Sequence, residues 1–220
     1  MAQFAVIGLG SFGQTVALEL AKLKHDVIGI DINKKNIEDI SEHITYAVIA
    51  DGSDEHVLKE LNLQDCNAVI VAIGEDIEAS ILCVLHLQTL GITNIWAKAK
   101  TKSHHMILSH FNIPKIIHPE EDMGVRVAQA LNYPMVSRYM ALEDDHYIVK
   151  VVIPPHLHQI HLLALTQTEP EIKIILVKRQ HDIFYQIPPD FTLHEKDILI
   201  LEGHLPALKK LSHRFLENTK

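Results

Sequence analysis

Cysteine is scarce: Cys66 and Cys83 are the only two in 220 residues. Two thiols cannot build a disulfide framework. Both sit in apolar, regular stretches, which fits reduced, buried thiols in a cytosolic protein. Long apolar runs are missing as well. The longest candidate, 79–92, is interrupted by Ser80, His86, Gln88 and Thr89, short of the roughly 20 apolar residues a membrane helix needs. The sequence thus predicts no direct membrane insertion. The first residues carry no basic stretch and run straight into a strand pattern, unlike a signal peptide. Basic excess is absent too: 20 Lys and Arg against 28 Asp and Glu give 20 − 28 = −8. That balance argues against a nucleic-acid partner, which needs basic surface. No repeat or low-complexity tract is visible.

What is present is an ordinary globular composition, 47% hydrophobic and 22% charged, long enough for one large domain or two small ones. Short apolar runs at 4–7, 27–30, 46–50, 68–73, 95–99 and 115–117 alternate with helix-period segments at 12–23, 34–40, 54–61, 78–90 and 104–111. Continuously apolar strands alternating with helices predict a parallel sheet covered on both faces, an α/β doubly wound domain. Gly91 is expected to end the fourth helix.

The pattern then changes. A helix is expected over 122–131, stopped at 132–134 by Asn-Tyr-Pro. Strands are expected at 136–142 and 147–153, around the acidic turn 143–145. A short helix follows at 156–165, then a hairpin of 172–177 with 183–187, a strand at 198–201 and a terminal helix at 206–216 bearing Leu208, Leu211 and Phe215 on one side. The expected organisation is a nucleotide-binding domain over 1–118, a crossover helix and linker over 119–134, and a small α+β domain over 135–220.

Residues 8–13 read GLGSFG. The match to G-x-G-x-x-G is weak alone. Here a strand precedes it, a helix follows, and Asp31 closes the next apolar run, 31 − 13 = 18 residues after the last glycine. Gly8 allows the tight turn, Gly10 lets backbone approach a diphosphate, and Gly13 lets the helix pack on the strand. Ser11 and Phe12 complete the loop. The N–H groups opening the helix face the phosphates. Asp31 accepts from the adenosine ribose hydroxyls and disfavours a 2′-phosphate, hence NADP. The loop specifies an adenosine diphosphate group, which NAD, NADH, ADP and ATP share.

FAVIGLGSFG, the VIGIDIN run ending at Asn33, AVIVAIG ending at Gly74, NIWAKA ending at Ala99 and, most specifically, IIHPEEDMGVRVAQAL over 116–131 resemble the RCK-domain regulatory subunits of bacterial potassium uptake systems. These are of the Ktr and Trk type, with the KtrA group closest. The resemblance is strong over 4–131 and loose after Asn132. It implies a Rossmann domain binding ATP, ADP or NAD(H), and a homodimer assembling into an octameric ring. It also implies a cytoplasmic location beneath a membrane potassium channel subunit of KtrB or TrkH kind, gated by the ring. Carried over by the resemblance, Asp31, Ile32 and Asn33 hold the ribose. Asp51, Gly52, Ile73, Gly74 and Glu75 surround the adenine. Lys98, Ala99 and Lys100 line the phosphate end with His104 nearby, and Glu120 helps bind a Mg, Ca or Na ion near the phosphates. Ser11 departs from the arginine that ATP binders of this group often carry there. Its absence removes a charge-assisted contact and shifts weight toward ADP or NAD(H). The segment 161–171 does not resemble the family's cyclic di-AMP region.

Sixteen histidines, from His25 to His213, are scattered rather than clustered. His104 with His105, and His156, His158 and His161, have spacings to weigh for zinc, but no cysteine or carboxylate completes a tetrahedral set. Glu121 and Asp122 are sufficiently explained as acidic residues in a first helical turn. The alternative to a regulatory subunit is a small NAD-dependent oxidoreductase. That would need a catalytic acid or base over the nicotinamide and a substrate pocket. The roughly 85 residues after the first domain are few for that, and no Ser-Tyr-Lys or Arg-His set stands out, so no enzymatic activity is expected. A third possibility is a stand-alone nucleotide-binding or oligomerisation module.

Overall fold

A computed structural model describes residues 1–132, 136–142, 145–167 and 169–216. The chain divides into two compact units, Met1–Asp122 and Met123–Lys220.

The first unit is a six-stranded parallel sheet: β1 (Gln3–Ile7), β2 (Asp26–Asp31), β3 (Tyr46–Ile49), β4 (Ala68–Val71), β5 (Ile95–Lys98) and β6 (Lys115–Ile117). The strand order is β3-β2-β1-β4-β5-β6. Successive strands are joined by α1 (Ser11–Lys22), α2 (Lys34–Glu38), α3 (Glu55–Glu60), α4 (Ile77–Thr89) and α5 (Lys102–Ser109). The doubly wound arrangement expected from the alternating pattern is the one observed, and its order reverses between β1 and β4, where such sheets open a ligand crevice.

The central strands are apolar from Phe4 to Ile7 and from Ala68 to Val71 because both of their faces are covered. Ala5, Ile7, Val69 and Val71 pack in one core with Leu58, Cys83, Leu87, Ile95 and Leu108. Val6 and Ile70, pointing the other way, pack in a second with Leu9, Ala17, Val27, Ile37 and Ile40. Four helices start on a side-chain cap: Asn33 accepts from Lys35 N–H, Asp54 from His56, Asp76 from Ala79 and Thr101 from His104. The start of α1, at Gly10, has no side-chain cap and no acidic residue in its first turn.

A sixth helix, α6 (Pro119–Asn132), carries the chain out of the first unit, past Asp122. Of the stop signal at 132–134, Tyr133 and Pro134 lie outside the described residues, as do Glu143 and Asp144 of the acidic turn.

The second unit is an antiparallel sheet of β7 (Val136–Ala141), β8 (His146–Val152), β9 (Lys173–Arg179), β10 (Asp182–Phe184) and β11 (Ile198–His204), in the order β10-β9-β11-β8-β7. Two helices accompany it, α7 (Leu162–Thr166) and α8 (Leu205–Leu216). Leu208, Leu211 and Phe215 of α8 are buried against Val149, Val151, Leu199 and Leu201, the one-sided pattern read from the sequence. Arg179 clamps the buried Asp197 with two hydrogen bonds, 2.9 and 2.7 Å, and donates to the Thr192 carbonyl at 2.8 Å.

Two expectations here are corrected. The helix expected over 156–165 is broken into a single 3-10 turn, Pro155–Leu157, and α7. Its middle turns at 158–159, with Gln159 at φ +66, and its backbone bonds to 191–193. Gln159 N–H donates to Leu193 O, Leu193 N–H to Ile160 O, and Leu162 N–H to Phe191 O. That tertiary pairing outweighs a helical pattern too short to nucleate by itself. The second hairpin strand, expected at 183–187, closes at Phe184. Pro188 and Pro189, just beyond, cannot donate to a ladder.

Candidate functional site

The sequence-derived residues gather at the carboxyl ends of β1, β2, β3, β4 and β5. Gly8 ends β1 with φ +92, a conformation L side chains resist. A Cβ there would also lie 2.9 Å from the Ala72 carbonyl carbon. Gly13, in the first turn of α1, packs so closely on the Gly8 carbonyl that no Cβ fits. The two glycines therefore press the start of α1 onto the strand. Gly10, at the exposed turn between them, has open space where a Cβ would point. The first-turn N–H groups of α1 lack intrahelical acceptors by construction. With no side-chain cap and no acidic residue in that turn, they form a cradle suited to an anion.

Asp31 ties this cradle to β2. Its Oδ2 accepts from the Leu9 N–H at 2.5 Å and from Asn36 Nδ2 at 3.1 Å, and its Oδ1 from the Asn33 N–H at 2.7 Å. The carboxylate is thus oriented before any ligand arrives. It was read as a ribose acceptor only. That it also holds the buried Leu9 backbone was missed, because a backbone donor leaves no trace in side-chain spacing. Ile32 and Asn33 beside it are exposed.

On the next strand end, Asp51 accepts from Ser53 N–H and Oγ at 2.9 and 2.7 Å. These bonds hold its carboxyl below the usual carboxylate range. Ser53 was also missed, although Asp-x-Ser is a readable turn signal. Gly52 is buried against the Ile7 side chain. Ile73 and Gly74 follow β4, half-buried.

Lys98, at the end of β5, is only 13% exposed in its side chain and reaches Glu120 Oε1 at 2.6 Å. Its Nζ lies 3.0 Å from where a Cβ on Gly74 would sit, and 6.0 Å from the centre of the Phe12 ring. The ammonium therefore joins the glycine loop, the end of β4 and the first turn of α6. It holds the Glu120 carboxyl below its ordinary range. Lys100 makes a looser pair with Glu75, 3.1 Å, on exposed side chains. Ala99 points into the core and gives its N–H to the Ile117 carbonyl.

His104 is 1% exposed. Its Nδ1 accepts from the Lys100 N–H at 3.3 Å, which leaves the ring proton on Nε2, a buried donor with no partner among the described residues. Burial, with His118 nearby, pushes its pKa down. His105 Nδ1 lies 2.8 Å from His118 Nε2, the rings stacked. Among the described residues no three His, Cys, Asp or Glu side chains are grouped as a metal site. Both cysteines are free thiols, and burial raises the pKa of each, Cys83 beyond the normal range.

The cradle fits an adenosine diphosphate: an uncapped helix start for the phosphates, a cation at the same mouth, and an oriented carboxylate one strand away for the ribose. Asp31 has about four acceptor sites, and three are taken. The longest bond, from Asn36, is the one a second ribose hydroxyl can replace. For a cation the chain falls short by itself. Glu120 is one carboxylate, already on Lys98, against the six or more oxygens a Mg or Ca ion takes.

The profile of the TrkA-N domain family matches residues 4–119. The chain is 37% identical over 212 residues to Ktr system potassium uptake protein A of Bacillus subtilis, covering 96% of each. Among solved structures it resembles the GsuK RCK domain, with a TM-score of 0.64 and 17% identity, over 98% of this chain and 48% of that one. It also resembles a GsuK channel bound to NAD, with a TM-score of 0.60 and 16% identity, over 96% of this chain and 39% of that one. These two likenesses concern the fold.

Proposed function

Because the chain belongs to the TrkA-N domain family and is related end to end to Ktr potassium uptake proteins, we propose that it is a nucleotide-sensing regulatory subunit of a potassium transport system. The observation that carries this reading is the end-to-end relationship, which spans the nucleotide cradle, α6 and the second unit alike. The geometry of the cradle supports the nucleotide half. Among the described residues no helix is long and apolar enough to cross a membrane, so control of transport runs through a membrane potassium channel partner of KtrB or TrkH kind, from the cytoplasmic side.

In this reading the glycine loop, with Ser11 and Phe12, takes the diphosphate on the N–H groups of α1. Asp31 and Asn33 take the ribose, with Ile32 as an apolar neighbour. Asp51, Gly52, Ile73, Gly74 and Glu75 border the base. Lys98 and Lys100 supply positive charge at the phosphate end, close to His104. With Ser11 in place of a guanidinium, ADP and NAD(H) are favoured over discrimination of a γ-phosphate. A Mg, Ca or Na ion at Glu120 requires oxygens from the phosphates and from a second protomer, consistent with a homodimer built into an octameric ring. The expected domain limits, 1–118, 119–134 and 135–220, stand as part of this proposal. Ligand shifts the ring only by the difference in its affinity for the two states, so no chemical conversion of the nucleotide is required.

The test has two arms. In a thermal-shift titration against ATP, ADP, NAD and NADH, a ligand at 100 times its Kd adds about 2.7 kcal/mol of stability. In a potassium-uptake assay, the protein co-expressed with a KtrB-type channel subunit should raise uptake above that of the channel alone. No nucleotide shift, or steady NAD reduction with a metabolite, would remove the regulatory reading.

A further inference from the structure

The contact between Lys98 and Glu120 opposes the use of either residue by a ligand. Lys98 is nearly buried, and its ammonium has been drawn 2.6 Å from Glu120 Oε1. Its stem crosses Gly74, just beyond β4, where no side chain blocks it. Glu120 is 70% exposed in its side chain and sits in the first turn of α6. The same ammonium stands 6.0 Å from the Phe12 ring, and Phe12 lies in the first turn of α1, whose uncapped N–H groups form the cradle. One cation is thus placed between an internal carboxylate and the open phosphate cradle. It cannot neutralise both fully.

We propose that Glu120 is an internal competitor for Lys98, occupying the ammonium when the cradle is empty and surrendering it when nucleotide phosphates arrive. The inference rests on the nucleotide reading above and adds to it a residue-level exchange. Binding breaks the Lys98–Glu120 pair and frees Glu120, on the helix that leads out of the first unit. The empty and filled cradle therefore differ in the charge state of the first turn of α6: paired in one, an uncompensated carboxylate in the other. A carboxylate at a helix N-terminus is itself tolerated, even favoured, so releasing it is inexpensive. The exchange also orders events at the phosphate end, since Glu120 can serve no other cation until Lys98 has left it.

The size of the effect follows from the pair. An exposed ion pair is worth up to about 1 kcal/mol, and Lys98's burial places this one at the upper end, so removing the competitor should tighten phosphate binding roughly threefold to fivefold. The experiment is calorimetric titration of the full chain with ADP, and in parallel with NAD, in EDTA and at low salt. The proteins are wild type, Glu120→Gln, Lys98→Met, the double variant, and Glu121→Gln as a neighbouring carboxylate outside the pair. Expected are tighter binding in Glu120→Gln, weaker binding in Lys98→Met, and no further gain from Glu120→Gln once Lys98 is methionine. Glu121→Gln should match wild type. Equal tightening in both backgrounds would mean plain repulsion of a polyanion and would overturn the exchange. So would weaker binding in Glu120→Gln, which would place Glu120 on the ligand. Wild-type protein that binds neither ADP nor NAD brings down the nucleotide reading and the exchange together, whereas binding with an additive cycle removes the exchange alone.

Discussion

Replacing Asp31 by alanine should weaken the ligand-free protein as well as its ligand binding, and the two losses have separate origins. In the free protein the carboxylate accepts from the Leu9 and Asn33 N–H groups at 2.5 and 2.7 Å. Leu9 is fully buried, so its amide gains no water when the acceptor is lost. An orphaned buried donor costs about 1–3 kcal/mol, more when the lost acceptor was charged. Asn33 is exposed and recovers its bond from solvent. The first unit should therefore lose about 2 kcal/mol, nearly all of it at Leu9. Nucleotide affinity should fall by at least about tenfold, because a charge-assisted bond to the ribose is removed and the loop carrying Leu9 loses its tie. Trp96 is the only tryptophan, and it lies in β5 of the first unit. Its fluorescence during urea unfolding therefore reports on that unit without interference from the second. Asp31→Asn should be intermediate in stability, keeping one acceptor oxygen, yet close to alanine in affinity. Unchanged urea stability in Asp31→Ala would refute the structural tie, and unchanged ADP and NAD affinity would take Asp31 out of the site.

Two further outcomes can be checked on the same material. Arg179→Ala strands the Asp197 carboxylate, which is 1% exposed, and should destabilise the second unit by about 3 kcal/mol, read as faster hydrogen exchange in β9 and β11 with β1 and β4 unchanged. His104 has a folded pKa depressed below its ordinary value, so the unfolded chain binds its proton first. Stability of the first unit is complete above the ordinary histidine pKa and is lost as pH falls toward the folded one. His104→Gln should flatten the acid side of the Trp96 unfolding profile, and a profile unaltered by that change would mean that folding does not shift the His104 pKa.

The first unit was legible because its signals are local and redundant. Six short apolar runs alternating with helices, the central ones buried on both faces, leave a parallel sheet as their outcome, and the glycine loop names the strand at which the order turns. The second unit was legible except where pairing across distance decides. Residues 158–161 carry a helical spacing, but their backbone is taken by 191–193, and nothing within ten residues announces that. Conversely, the buried face of α8 was readable, since Leu208, Leu211 and Phe215 repeat at a helical period with no competitor.

The site divides along the same line. Residue types that a position itself demands, such as Gly8 and Gly13 where a Cβ does not fit and Asp31 at the end of β2, were readable from spacing. Groups that act through backbone or through one another were not. Leu9 contributes an N–H, which every residue but proline has. Lys98 and Glu120 are 22 positions apart, and each was assigned a separate task because sequence separation hides that they are already partners. Their pairing changes what the site must do to work. A cradle with a free lysine would bind phosphate in proportion to its charge alone. A cradle whose lysine is already engaged binds by exchange, and the residue it releases stands on the helix that continues into the second unit. Sensing then needs no motion larger than one side chain to begin, because the difference between the empty and the filled state is first a difference in which carboxylate or phosphate a single ammonium faces.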